Sequence, residues 1–204
     1  MMHTIDTEHH PLTPFIPNGA RVLMLGSFPP GRERWSMDFF YPNWINDMWR
    51  IIGLIFYGDK HHFEITGERR FDREKIMTFC ATNGIALYDA AVEVRRLKAN
   101  ASDKFLEVVT HTDITRLIDY IPECRAIITT GEKAAEIVAN QFGVEIPAVG
   151  NSVAIHFNGR TLALWRTPST SRAYPLALDR KADIYRVIFE RYLDNSVFYI
   201  NNPH

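Results

Sequence analysis

Four short apolar runs, separated by stretches with helical spacing, constrain this chain more than any other feature. Residues 21–26 (RVLMLG), 85–88 (IALY), 126–130 (AIITT) and 161–165 (TLALW) each read as a buried strand. The stretches between them read as helices. Asn46 or Asp47 can cap one that carries Met48, Trp49, Ile51, Ile52 and Ile55 at helical spacing. A long loop, residues 28–45, precedes it. Residues 71–83 form a second helix that stops at Gly84, and residues 113–121 place Leu117, Ile118 and Ile121 on one face. Residues 132–142 end at Gly143, Asn158-Gly159 marks a hairpin into the last run, and residues 178–193 form a closing helix. Strands alternating with helices build a mostly parallel sheet covered on both faces, with the functional loops beyond the carboxyl ends of the strands. The expected fold is α/β: three α/β/α layers around a central, mostly parallel four-stranded sheet.

Composition narrows what such a fold can do. With 204 residues, 46% of them hydrophobic, the chain can bury one sizeable core, which points to a single domain over residues 21–204 behind a polar, proline-containing extension, residues 1–20. The 23 basic residues are matched by 24 acidic ones, so no overall field attracts a polyanion and any nucleic-acid contact must be local. Cys80 and Cys124 are the only cysteines, too few for a disulfide framework or a four-cysteine metal site, and the default setting is reducing and cytoplasmic. The first 20 residues hold no apolar run suited to a signal peptide or a membrane span, so no membrane partner is expected. A monomer is the default expectation.

Three loops leave strand ends with polar or backbone-exposing residues: residues 26–31, Asp89 with its followers, and residues 167–173. Here a family resemblance enters. Gly26-Ser27-Phe28-Pro29-Pro30 resembles the first motif of the uracil-DNA glycosylase superfamily, in the variant form of its mismatch-specific and hypoxanthine-type members. Pro168-Ser169-Thr170-Ser171 is similar to the superfamily's DNA-clamping loop, and residues 84–96 (GIALYDAAVEVRR) look like the middle segment of hypoxanthine-DNA glycosylases. Tyr41-Pro42 followed by Asn46-Asp47-Met48-Trp49 resembles the same group's segment that opens a helix, with two extra residues. The matches run in family order from about residue 21 to about residue 190.

The resemblance implies a monofunctional DNA glycosylase that extrudes a deaminated base, uracil or hypoxanthine, and hydrolyses its N-glycosidic bond without a cofactor. Gly26, Ser27, Phe28, Tyr41 and Asp89 are then the base-binding candidates, with Phe28 and Tyr41 as the stacking surfaces. Asn46 and Asp89 are the catalytic candidates: Asn46 to orient water, with Asp47 and Asn43 as neighbours that could substitute, and Asp89 to hydrogen-bond the base. Ser169, Thr170, Ser171 and Arg172 are the DNA-binding candidates, since hydroxyl and backbone donors fix phosphates without reading sequence. Arg166 and Tyr174 flank them, and Arg95, Arg96 and Lys98 form a second local basic cluster.

Plainer readings stand beside these. Asp89 before Ala-Ala-Val-Glu is also a good helix start, Asn46 can serve as a helix cap alone, and the Arg95 cluster can be a solvated helix end. Two positions depart from the family pattern. Phe28 stands where many members carry Asp or Asn, and Thr167 where several carry a His beside the departing base. They motivate an alternative, a nucleic-acid-binding member of the fold without chemistry; a hydrolase of free nucleosides is a third reading. The pairs His9-His10 and His61-His62 lack the spacing that aims two imidazoles at one ion, so no metal is expected. Gly131-Glu132-Lys133 lacks the full phosphate-loop pattern.

Overall fold

The structure is a computed structural model that describes residues 6–97 and 105–194. The first apolar run forms β2 (Val22–Gly26), preceded by a short β1 (Glu8–His9). Helix α1 (Met48–Tyr57) ends at Gly58, and α2 (Arg73–Asn83) ends at Gly84, both glycines in the left-handed region that terminates a helix. Asp72 caps α2 by accepting from the Lys75 amide, so this helix starts two residues later than its hydrophobic pattern suggests. Phe71 instead leaves the helix and packs on Trp44, ring centroids 5.0 Å apart.

The second run forms β3 (Ile85–Asp89), and the chain then continues as β4 (Ala91–Arg96) and β5 (Leu106–His111). The order afterwards is α3 (Ile114–Asp119), β6 (Ala126–Thr130), α4 (Glu132–Phe142), β7 (Ser152–Phe157), β8 (Arg160–Thr167) and α5 (Leu178–Tyr192). Asp113 caps α3 through the Arg116 amide, so that helix is shorter at both ends than residues 113–121.

The main sheet has the order β3-β2-β6-β8-β7, with the first four strands parallel and β7 antiparallel to β8. It therefore holds five strands, not four. The fifth is the first arm of the Asn158-Gly159 hairpin, whose two turn residues both have positive φ (47° and 73°), the pairing that suits the twist of a tight hairpin. Every second residue of β7 is exposed, so the strand carries no continuous apolar signal in the sequence. By contrast β2, β3 and β6 are buried at every position, as a sheet covered on both faces requires. Fully buried Leu23 and Leu25 each contribute about 2 kcal/mol of hydrophobic stabilisation. Phe56 of α1 joins α2 and α5 through Phe79 and Phe189, at 4.8 and 5.5 Å, while Gln141 of α4 accepts from the Ile114 amide of α3.

A second, three-stranded antiparallel sheet has the order β1-β4-β5. It corrects two readings at once. Asp89 does not start a helix, and Arg95 and Arg96 lie on a strand; Lys98 lies outside the described residues. The turn from β3 into β4 is held by the Ala90 and Ala91 amides, which donate to the carbonyls of Gly26 and Ser27. That bonding, with β-branched Val92 and Val94 and a partner strand in β5, outweighs the local helix signal of Ala-Ala-Val-Glu. No helix among the described residues is long and apolar enough to cross a membrane.

Candidate active site at the switch point of the sheet

From β2 the chain passes first to β3 on one side and later to β6 on the other. A parallel sheet whose order reverses in this way leaves a crevice outside the carboxyl ends of the two strands. That crevice is a cavity of about 600 Å³, lined by Gly26 to Pro30, Arg34, Tyr41 to Asn43, Ile45, Asn46, Asp89, Thr130, Ser169 to Ser171 and Ala173 to Pro175. Three loops chosen from sequence thus meet at one place. Every candidate except Arg172 lines it.

Asp89 ends β3 beside Gly26, its register partner in β2. The approach is close: a Cβ on Gly26 would stand 2.3 Å from Asp89 Oδ1. Asp89 Oδ2 lies 2.8 Å from His10 Nε2, and both side chains are almost wholly buried. The imidazole sits among rings, with centroids 4.6 Å from Tyr88 and 5.3 Å from Phe28. Its Nδ1 lies 2.9 Å from the Leu12 carbonyl oxygen and 3.1 Å from the Leu12 amide.

Phe28 is half-buried, packed on Ala91, Val94 and Leu106. Arg96 Nη2 donates to the Pro29 carbonyl at 2.6 Å, its Nε to Glu8 at 3.0 Å, and its guanidinium lies 5.7 Å from the Phe28 ring centre. Arg96 therefore braces the 26–30 loop from the second sheet, rather than standing free as a cation for DNA.

Tyr41 adopts a left-handed backbone (φ 51°), a conformation rarely taken by a bulky residue and one found at sites where structure over-determines the chain. Its hydroxyl is 3.3 Å from Thr130 Oγ1, which itself reaches the Leu25 carbonyl at 3.4 Å. Because the Thr130 proton goes to that carbonyl, the phenol is the donor. Burial first, and then the Asp89 charge, push the Tyr41 phenol well above its ordinary range, so it stays neutral near pH 7.

Asn46 Oδ1 accepts from the Met48 amide at 2.9 Å, at the start of α1. Asn46 is thus both a helix cap and a pocket residue, leaving the second lone pair of Oδ1 and the amide hydrogens for the cavity. Asp47 does not substitute for it. Its carboxylate is buried and takes Lys181 Nζ at 3.1 Å and Arg172 Nε at 3.3 Å. Lys181 also donates to the Ser171 carbonyl at 2.8 Å, and the Asp47 amide donates to the Thr170 carbonyl at 2.8 Å. This tie fastens the 168–172 loop to the start of α1.

In that loop Ser169 Oγ accepts from the Ser171 amide and Ser171 Oγ from the Ala173 amide, both residues remaining partly or fully exposed, whereas Thr170 is buried. Arg172 spends its Nε on Asp47 while half of its side chain faces solvent. Thr167 does not reach the cavity; its hydroxyl donates to the Thr129 carbonyl at 2.9 Å and meets the Tyr185 hydroxyl at 2.7 Å.

The same fold has been solved before. The chain is similar to the solution NMR structure of a "putative Uracil DNA glycosylase" from Methanosarcina acetivorans, with a TM-score of 0.59 and 20% identity, covering 88% of this chain and 94% of that one. No protein-family description matches the sequence, and no curated protein matches it. At this identity the likeness concerns the fold, a mixed α/β architecture with a mostly parallel sheet.

Sequence reasoning missed His10, Thr130 and Arg34. Thr130 was within reach, because it ends the third apolar run just as Asp89 ends the second. His10 was not: it precedes β2 by 12 residues, and only the pairing of β1 with β4 brings it to Asp89.

Proposed function

We propose that the chain is a DNA glycosylase that takes an extruded deaminated base, uracil or hypoxanthine, into this cavity and hydrolyses its N-glycosidic bond. The observation that carries the reading is the meeting of Gly26 to Pro30, Tyr41 to Asn43, Asn46, Asp89 and Ser169 to Ser171 around one cavity of about 600 Å³ at the switch point. A cavity of this size accommodates a nucleoside, and removal of a base from duplex DNA requires such a receptacle.

The residues divide the work by chemistry. Phe28 and Tyr41 offer ring surface to the base, and Asp89 offers a carboxyl oxygen to its edge. The bond between C1′ and the base nitrogen breaks with its electron pair leaving on the base. Water held by Asn46 then bonds to C1′, and its proton passes to the departing base. Charge placement and water orientation lower such a barrier without a strong base, so Phe28 in the first motif is compatible with turnover. Ser169 and Ser171, fixed by their own turns, face the phosphates; Arg172 and Arg34 add positive charge at the rim. Ile45, 46% exposed at the mouth, is an apolar side chain suited to fill the gap left by the extruded base.

Incubation of the purified protein with duplexes carrying one uracil, hypoxanthine, xanthine or thymine mismatch, followed by alkali, tests the proposal. A strand break on uracil or hypoxanthine supports it. Absence of any break, alongside salt-sensitive binding, favours the binding-only reading, which the commitment of Asn46 Oδ1 to the α1 amide and the burial of Thr167 motivate.

A further inference from the structure

His10 and Asp89 form a buried pair that the proposed chemistry leaves unexplained. The side chain of His10 is 3% exposed, and it reaches the site from outside the main sheet. The segment that brings it is anchored: Glu8 and His9 pair with Val94 and Glu93, and Phe15 exchanges two 2.9 Å hydrogen bonds with Leu87 of β3. A buried imidazole so held, on a buried carboxyl at the wall of a cavity, costs desolvation unless both partners keep their hydrogen bonds.

The pair can hold its protons in three ways. The imidazole can be doubly protonated beside a carboxylate; it can be neutral with the proton on Nε2 while Nδ1 accepts from the Leu12 amide; or it can carry its proton on Nδ1, donating to the Leu12 carbonyl, while the acid donates from Oδ2. In each arrangement the shared proton lies on the line between Nε2 and Oδ2. Oδ1, set over Gly26 on the cavity wall, then has no proton and acts only as an acceptor.

We propose that His10 is a positioning residue that makes Asp89 Oδ1 an obligate acceptor, so that the cavity selects bases whose Watson–Crick ring nitrogen bears hydrogen. This inference rests on the glycosylase reading. Deamination changes that atom: cytosine N3 and adenine N1 are acceptors, whereas uracil N3 and hypoxanthine N1 carry N–H. A fixed acceptor bonds to the second pair and opposes a lone pair in the first, which gives one atom the means to refuse both parent bases. Without His10 the carboxyl loses the bond that fixes its plane, and its cavity-facing oxygen no longer stands in one place opposite the ring nitrogen.

The test uses the full chain and duplexes in which 2′-fluoro substitution of the target nucleotide slows cleavage, so that binding is read without turnover. Wild type is expected to favour uracil over cytosine, and hypoxanthine over adenine, by at least about tenfold. His10→Ala should collapse that preference to within about twofold, and His10→Gln, which keeps an N–H donor toward Oδ2, should restore most of it. The ¹⁵N shift of the His10 ring, read on free protein, should move in Asp89→Asn. Unchanged discrimination in His10→Ala, equal loss in the Ala and Gln variants, or an unmoved ring shift each overturns the role of His10. Those results leave base release by wild type intact, whereas a wild type that releases neither uracil nor hypoxanthine defeats the glycosylase reading and this inference with it.

Discussion

A methyl group on Gly26 would stand 2.3 Å from Asp89 Oδ1, a separation that real Cβ atoms do not tolerate. The backbone of Gly26 is not in the left-handed region, so alanine there meets no φ penalty and the whole cost falls on the Asp89 carboxyl, which His10 holds from the other side. Gly26→Ala should therefore destabilise by about 1–3 kcal/mol through overpacking and lower base release by roughly a hundredfold. The check is a denaturant melt beside single-turnover assays. In the Asp89→Ala background, Gly26→Ala should cost little further stability, because the clash has lost its partner. Asn46→Ala separates two roles in one side chain. Loss of the bond to the Met48 amide should cost about 1 kcal/mol, a typical cap, whereas loss of water orientation should reduce release by about a hundredfold or more. Asn46→Asp keeps the cap and should recover the stability; wild-type activity in Asn46→Ala would remove Asn46 from the mechanism.

At the scale of elements, the loop after β8 is positioned by helices that bracket it. Asp47 at the start of α1 takes Lys181 from α5 and Arg172 from the loop, and Lys181 reaches back to the Ser171 carbonyl. Lys181 is 1% exposed and Asp47 6%, so removal of one partner strands a buried charge. Lys181→Met is expected to cost about 3–5 kcal/mol, more than its lost packing accounts for, and to release the 168–172 loop. Denaturant melts would read the first effect and amide hydrogen exchange across residues 169–172 the second. Ordinary exchange protection there in a destabilised variant would mean that the loop is held by the Asp47 amide and the Asn46 to Ser171 bridge instead. The second sheet plays the matching part for the 26–30 loop, since β4 carries Arg96 to the Pro29 carbonyl and β1 delivers His10.

For the whole molecule, buried acids that stay neutral set the alkaline limit of the fold. Burial pushes the Cys124 thiol up to about 11 from an ordinary 9.0, and burial raises Cys80, Tyr41 and Tyr185 as well. A group whose pKa is raised in the folded state contributes stability in full below its unfolded value and loses it as pH climbs through the folded one. Stability should thus be flat with respect to these groups below about pH 9 and fall above it, Cys124 alone accounting for roughly 2–3 kcal/mol by pH 11. Urea melts between pH 7 and 11 on wild type and Cys124→Ala check this: the variant starts less stable and should show the shallower decline. Much of this architecture was legible along the chain. Residues 21–26, 85–88, 126–130 and 161–165 all became parallel strands, the first three as β2, β3 and β6, whose burial on both faces writes a nearly continuous apolar run, and the loops after three of the four met at one cavity because parallel strands end on the same side. β7 and the β1-β4-β5 sheet were not legible, since half-exposed strands owe their stability to partners distant in sequence. The site divides along the same line. Gly26, Asp89, Asn46 and Ser169 to Ser171 announce themselves through local position after a strand or before a helix, so which loops line the cavity can be read along the chain. That Asp47 is a strut, Arg96 a brace and His10 the partner of Asp89 emerges only on folding, because each depends on a contact across 67 or more residues, 125 between Asp47 and Arg172, 67 between Pro29 and Arg96 and 79 between His10 and Asp89. No local preference of a buried ion pair or hydrogen bond reports where its partner will come from.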